Sequence, residues 1–152
     1  MILLKKDLML KNMIYFFQFQ MKKIMKILGI GVDIVKNKRI GNLINNKAFI
    51  KRTFGKNEVL LSKKKLDKKN YFAKRFAAKE AFTKSLGTGF RNGINFRDIE
   101  ILNDKTGKPY YFKSKKIKKI INKKFKIKKF ELFLSLSDEK DYSVAFTILQ
   151  KK

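Results

Sequence analysis

The chain has 152 residues, 44% of them hydrophobic, which is enough for one compact domain with its own core. It has no Cys and no His, so disulfides, thiolate or imidazole metal sites and His-based catalysis are excluded, and chemistry falls to Asp, Glu, Lys, Tyr or water. Its 39 Lys and Arg against 12 Asp and Glu give a net charge of +27, which attracts polyanions and acidic proteins and which compositional drift toward Lys, Ile, Asn and Phe would also produce.

Residues 1–24 precede the first regular pattern. Their "MIYFF" is too short for a secretory h-region, no small-residue cleavage site follows, and Met13, Met21 and Met25 are alternative starts. This segment is expected to lie outside a domain spanning 25–152. No stretch reaches the roughly 18–20 apolar residues of a membrane span.

Lys26–Val35 then reads as a strand. Lys38–Lys47 suits a short helix with Ile40, Leu43 and Ile44 at helical spacing. Asn57 is placed to cap "EVLLSKKKL", and Asn70 to cap the long helix "YFAKRFAAKEAFTKSL", which Gly87 stops. "DIEILN", the turn "DKTGKP" and "YYFK" read as a hairpin. A Lys-rich helix follows over 114–124, and "FELFLSLS" and "YSVAFTILQ" close the chain as strands around "DEKD". Helices and strands alternate irregularly, with hairpins late, so the fold class is α+β: antiparallel strands packed on a long helix.

The chemistry centres on Asp33, the one acid in "GIGVDIV". Alternation along the strand puts Leu28, Ile30, Val32 and Ile34 on one face, expected to pack on the core. The other face carries Gly29, Gly31, Asp33 and Val35, where bare backbone lets something approach Asp33 closely. On the long helix, Glu80 and Lys84 lie roughly 40° apart on an arc shared with Ala73 and Ala77. Arg75 and Lys79 share a different arc. Were Asp33 to meet Glu80, two carboxylates about 4 Å apart would repel by roughly 4 kcal/mol at an effective dielectric near 20. A divalent cation between them removes that repulsion, and an all-oxygen donor set points to Mg²⁺. Arg75, Lys79 and Lys84 are then near enough in sequence to hold phosphates.

These same segments carry a resemblance. "ILGIGVDIVKNKRI", "FAKRFAAKEAFTKSLGTGF", "IEILNDKTGKPYY" and "LSLSDEKDYSVAFTIL" resemble the holo-(acyl-carrier-protein) synthases, the short phosphopantetheinyl transferases, over about residues 26–150. The resemblance implies an α+β subunit assembled as a homotrimer, with active sites between neighbours. It implies transfer of 4′-phosphopantetheine from coenzyme A to a serine of apo acyl carrier protein, releasing adenosine 3′,5′-bisphosphate, in the cytoplasm as part of fatty acid biosynthesis. Asp33 and Glu80 match the magnesium ligands, and Lys84 matches the lysine beside the reacting diphosphate. Arg75 and Lys79 match basic positions around coenzyme A. Gly107, Lys108 and Pro109 fall where the family shapes its nucleotide pocket, and Arg39 matches a position that meets the acidic carrier. Many members have a His where Asp138 stands here, and others an acidic pair, which puts in doubt any role of that position in catalysis or phosphate contact.

Two other readings are weighed. A small basic nucleic-acid-binding protein would interleave aromatics with lysines on an exposed sheet, as "YYFK" and "FKIKKFELF" could. A magnesium phosphohydrolase would share the metal site but use water as nucleophile. On the transferase reading, charge complementarity steers the acidic carrier onto Arg39 and its neighbours Lys36 and Lys38. Arg39→Glu should therefore raise the KM for the carrier much more than the KM for coenzyme A; equal effects on the two would contradict it.

Overall fold

The computed structural model describes residues 26–91 and 93–152, together with Lys11, Met13 and Tyr15. The expectation for residues 1–24 otherwise lies outside the described residues. In chain order the elements are β1 (Lys26–Lys36), α1 (Asn37–Gly41), α2 (Lys47–Thr53), α3 (Lys56–Ser62), α4 (Lys68–Leu86), a 3₁₀ turn (Phe96–Asp98), β2 (Ile101–Asn103), β3 (Pro109–Tyr111), α5 (Lys115–Phe125), β4 (Phe130–Asp138) and β5 (Tyr142–Lys151). The strands form an antiparallel sheet of order β1-β5-β4 and a separate β2-β3 hairpin. This is an α+β fold. No described helix is long and apolar enough to cross a membrane.

Local chemistry explains where the helix boundaries depart from the sequence reading. The single helix expected over 38–47 is two: α1 ends at Gly41, and Asn46 starts α2 by accepting a hydrogen bond from the Phe49 amide at 3.0 Å. Gly55, not Asn57, is the N-cap of α3, and the Glu58 carboxylate closes back on the Gly55 amide at 2.8 Å. Asp67, not Asn70, caps α4, accepting from the Asn70 amide at 2.9 Å. At the other end Gly87 takes the left-handed conformation (φ 65°), as its position predicts.

One expectation is reversed. Ile30, Val32 and Ile34 were expected to face the core, yet they are 54%, 54% and 62% exposed. The face that packs is the one with the glycines, because α4 lies directly on it. A Cβ on Gly29 would sit 1.8 Å from the Ser85 carbonyl oxygen, and one on Gly31 would sit 1.9 Å from that of Ala81. The bare backbone beside Asp33 therefore receives a helix. Ala77, Ala78 and Ala81, all fully buried, let the helix come this close.

Elsewhere the core is aromatic. Phe54 and Phe72 lie 4.5 Å apart between ring centres. The buried Tyr111 hydroxyl donates to the Ala78 carbonyl (2.7 Å) and shares a 2.6 Å hydrogen bond with Thr147 Oγ1, fastening β3, α4 and β5 together. Asn37, also buried, donates to the Glu139 and Lys140 carbonyls (2.8 and 3.2 Å) and accepts from Ser143 Oγ at 2.7 Å. It ties the β4–β5 turn to the start of α1.

Because the helix–strand approach leaves no space for a side chain, Gly31→Ala should cost about 1–3 kcal/mol of stability. Urea unfolding monitored by circular dichroism measures this; a variant as stable as the wild type would show that α4 does not sit where described.

Candidate active site

β1 and α4 together build an acidic site. Asp33 lies in register with Ala145 of β5, on the sheet face under α4, and is largely buried. Glu80 and Lys84 come from successive turns of α4. Lys84 Nζ donates to Asp33 Oδ1 at 2.8 Å, with the lysine side chain half exposed. At such an exposure the pair adds little to stability. Glu80 is partly buried, and among the described residues its carboxylate makes no ion pair. Burial holds its carboxyl above the usual range; the Asp33 charge pushes the same way, opposed by Lys84 and Arg39. Arg39, exposed on α1, thus belongs to the same neighbourhood, its guanidinium 5.9 Å from the Phe76 ring centre. The structure therefore brings Asp33, Glu80, Lys84 and Arg39 together.

The donor set fits a hard dication. Lys84 is engaged by Asp33, and Glu80 is left short of positive charge beside a second carboxylate. Among the described residues no third Asp or Glu joins them, so an ion there would complete its shell with water and ligand oxygens, as Mg²⁺ does.

A second feature flanks the N-terminal half of α4: a pocket of about 410 Å³ whose lining includes Tyr71, Arg75, Asn103, Gly107, Pro109 and Asp138. Gly107, at φ 88°, lets the β2–β3 turn close with its amide on the Asp104 carbonyl at 3.0 Å. Asn103 then donates to the Gly107 carbonyl at 2.7 Å and accepts from an Arg75 terminal nitrogen at 2.9 Å. The Arg75 guanidinium also lies over the Tyr71 ring, 3.5 Å from its centre. Among the described residues, two buried polar atoms have no partner, Arg75 Nε and Asn70 Oδ1, and both residues line this pocket. Lys108 is exposed in the same turn and does not line it. Asp138 holds Lys74 at 2.8 Å, joining the end of β4 to α4 at the pocket wall. The sequence offered no sign of that pair, since Lys74 is one lysine among many.

Lys79 needs correction. It was expected beside a phosphate-bearing ligand, but it is 0% exposed and has no surface to offer one. Its ammonium donates to Glu58 Oε2 (2.7 Å), the Phe96 carbonyl (3.0 Å) and the Ile99 carbonyl. Glu58 also accepts from the Gly55 and Ile101 amides (2.8 and 3.1 Å). Burial pushes the Glu58 carboxyl up and the Lys79 ammonium down, and their mutual attraction opposes both shifts. Lys79 is a core residue fastening α3, α4 and the segment leading into β2.

A glycine-faced strand thus lies under a helix that presents Glu80 and Lys84 beside Asp33. Residues 29–147 match the 4′-phosphopantetheinyl transferase superfamily, and the chain belongs to it. Within it the chain is an enzyme of the holo-(acyl-carrier-protein) synthase family. It is 61% identical over 128 residues to the holo-[acyl-carrier-protein] synthase of Pelagibacter ubique (strain HTCC1062), covering 84% of this chain and all of that one. The fold is similar to the crystal structure of the Neisseria meningitidis synthase (TM-score 0.74, 41% identity, 83% of this chain and 100% of that one). It is also similar to the synthase of Bacillus anthracis in complex with CoA (3′,5′-ADP) (TM-score 0.69, 33% identity, 84% and 99%).

Removing the partner of a buried charge is expensive. Lys79→Met should destabilise the protein by about 3–5 kcal/mol, because Glu58 is left buried without its cation. Glu58→Gln in the same chain keeps an acceptor for the amides and should restore most of the loss. Urea denaturation of both variants measures this; a Lys79→Met midpoint equal to the wild type would remove the pair from the core's support.

Proposed function

We propose that the protein transfers 4′-phosphopantetheine from coenzyme A to a serine of apo acyl carrier protein, with Asp33 and Glu80 holding Mg²⁺. The observation that carries the reading is the convergence of Asp33, Glu80 and Lys84 from two separate segments onto one partly exposed edge. When bound, the cation supplies charge neutralisation at the diphosphate. The carrier's serine oxygen forms a bond to the pantetheine-side phosphorus, and the bond to the nucleotide-side phosphate oxygen breaks, its electron pair leaving with adenosine 3′,5′-bisphosphate. Glu80, or a water beside it, accepts the serine proton. Lys84, on a flexible and half-exposed stem, stabilises the charge that develops on the departing phosphate. Arg39, beside Glu80 at the surface, receives the acidic carrier where its serine must enter. Catalysis is then mostly positioning and charge stabilisation, as in other phosphoryl transfers.

The nucleotide end of coenzyme A suits the pocket of Arg75, Gly107 and Pro109, whose two unpartnered polar atoms can accept from and donate to a base or phosphate. Asp33, Ala145 and Leu136 form one row across the sheet, so Asp33 on β1 and Leu136 at the pocket on β4 are two strand spacings, about 10 Å, apart. A homotrimer in which one copy's acidic site faces the next copy's pocket joins the two halves. The apolar outer face of the sheet supports it: Ile30, Val32 and Ile34 lie beside Phe146 and Phe133, which are 41% and 46% exposed. With coenzyme A and carrier as substrates, we place the reaction in the cytoplasm.

Mass spectrometry of apo carrier incubated with coenzyme A and Mg²⁺ tests the reading. A gain of one phosphopantetheine is expected, whereas hydrolysis of coenzyme A without transfer would indicate a phosphohydrolase. Asp33→Asn and Glu80→Gln should each lose most of the rate while circular dichroism stays native. The double variant should be little worse than the worse single one, since one site is destroyed once. A folded Asp33→Asn protein with the wild-type rate and magnesium dependence would remove Asp33 from the site.

A further inference from the structure

Beside α1 lies a pocket of about 420 Å³ that shares no lining residue with the nucleotide pocket; its walls include Lys38, Gly41, Lys69, Lys140 and Asp141. Three separate elements supply its cations: Lys38 comes from α1, Lys69 from the first turn of α4, and Lys140 from the β4–β5 turn. Among the described residues none of the three is in an ion pair, and Asp141 is the one acid of the lining. Two contacts hold the lysines there. A Cβ built on Gly41 would stand 3.1 Å from Lys69 Cγ, so the bare glycine lets the half-buried lysine stem lie against α1. Asn37 grips the Glu139 and Lys140 carbonyls and so holds the turn that carries Lys140. The pocket is also in line with the acidic site. Lys69, Phe76 and Glu80 share one stripe of α4, and the Arg39 guanidinium lies 5.9 Å from the Phe76 ring centre, between the two ends. Glu80 is eleven residues beyond Lys69, about 16 Å along the helix.

We propose that this pocket is the far end of the carrier's docking surface, where Lys38, Lys69 and Lys140 meet carboxylates of the acidic carrier while its serine lies at Glu80. The inference rests on the transfer reading and deepens it. Arg39 marks the middle of the path, and the pocket extends the positive surface to about 16 Å from the reacting end. A carrier is therefore selected by acidic groups at that distance from its serine, as well as by those next to it. A small anion fits less well, because it needs donors that converge on one point. Here the lysines stand around a cleft, two of them fully exposed, and a carboxylate-bearing surface can meet them one by one. Contacts at such an exposed rim act on encounter and on salt dependence, and leave the chemical step alone.

The test must separate this pocket from the general attraction of a +27 chain to an acidic protein. Lys69→Met/Lys140→Gln keeps an apolar stem on Gly41 and removes two charges from the pocket. At about 0.1 M salt its KM for apo carrier should rise about fivefold, with kcat and the KM for coenzyme A unchanged. Lys118→Gln/Lys119→Gln removes two exposed charges from α5 and should stay within about twofold of the wild type. Lys140→Glu alone alters an exposed side chain whose carbonyl is all that Asn37 uses; it should also raise the carrier KM, and it guards against misfolding of the double variant. Calorimetric titration with apo carrier, without coenzyme A, should show the same weakening as a change in Kd. Because that measurement needs no transfer, carrier that binds through the pocket yet is never modified would sink the transfer reading and leave the docking surface standing. Pocket variants with the wild-type carrier KM and Kd would overturn the proposal, as would an α5 variant that loses as much or an equal rise in the KM for coenzyme A.

Discussion

The approach of α4 to β1 is the constraint on which the rest depends. Two missing side chains, at Gly29 and Gly31, bring the helix backbone almost onto the strand backbone. With ordinary side chains the two would stand roughly 10 Å apart, the usual spacing of packed layers. A short Asp on the strand would then be harder for a helix residue to reach. With glycines the gap closes, Lys84 reaches Asp33 directly, and Glu80 feels the Asp33 charge. The same approach sets which way the sheet faces. Once the glycine side is the inside, Ile30, Val32 and Ile34 are outside, whatever their hydrophobicity.

That reversal marks the limit of reading this sequence. Alternation along β1 was legible, and so was the presence of every strand and the long helix, because periodicity and Gly87 announce them. Which face was buried was not legible, because hydrophobicity favours the isoleucines and only tertiary packing favours the glycines. Asp33, Glu80 and Lys84 were legible as a site because the helical arc and a lone acid are local features. Their meeting with Arg39 could only be seen once α1 was placed beside α4. The caps at Gly55 and Asp67 were missed because Asn57 and Asn70 are equally good capping residues on local grounds; the carboxylates of Glu58 and Asp67 decide the outcome.

Lys79 shows why charge is a poor guide in this chain. Arg75 and Lys79 occupy one helical arc, and both looked like surface cations meeting a phosphate. One does line a pocket. The other is a structural ion buried among three acceptors, and its only sequence signal would have been Glu58, 21 positions away with nothing to link the two. With so many lysines, location rather than identity separates function from solvation. Lys84 matters because it faces Asp33, Lys79 because it is sealed, and most of the remainder because they keep a basic surface wet.

Asn37 has a mechanical consequence. Its buried amide grips the Glu139 and Lys140 carbonyls, its backbone amide donates to the Asp141 carbonyl at 2.8 Å, and Ser143 closes the cluster. The β4–β5 turn and the first turn of α1 are therefore tied together at one buried residue. Arg39 follows two residues along α1, at the rim of the acidic site. The turn and the start of α1 thus share one buried anchor, and loosening it at Asn37 or Ser143 loosens both.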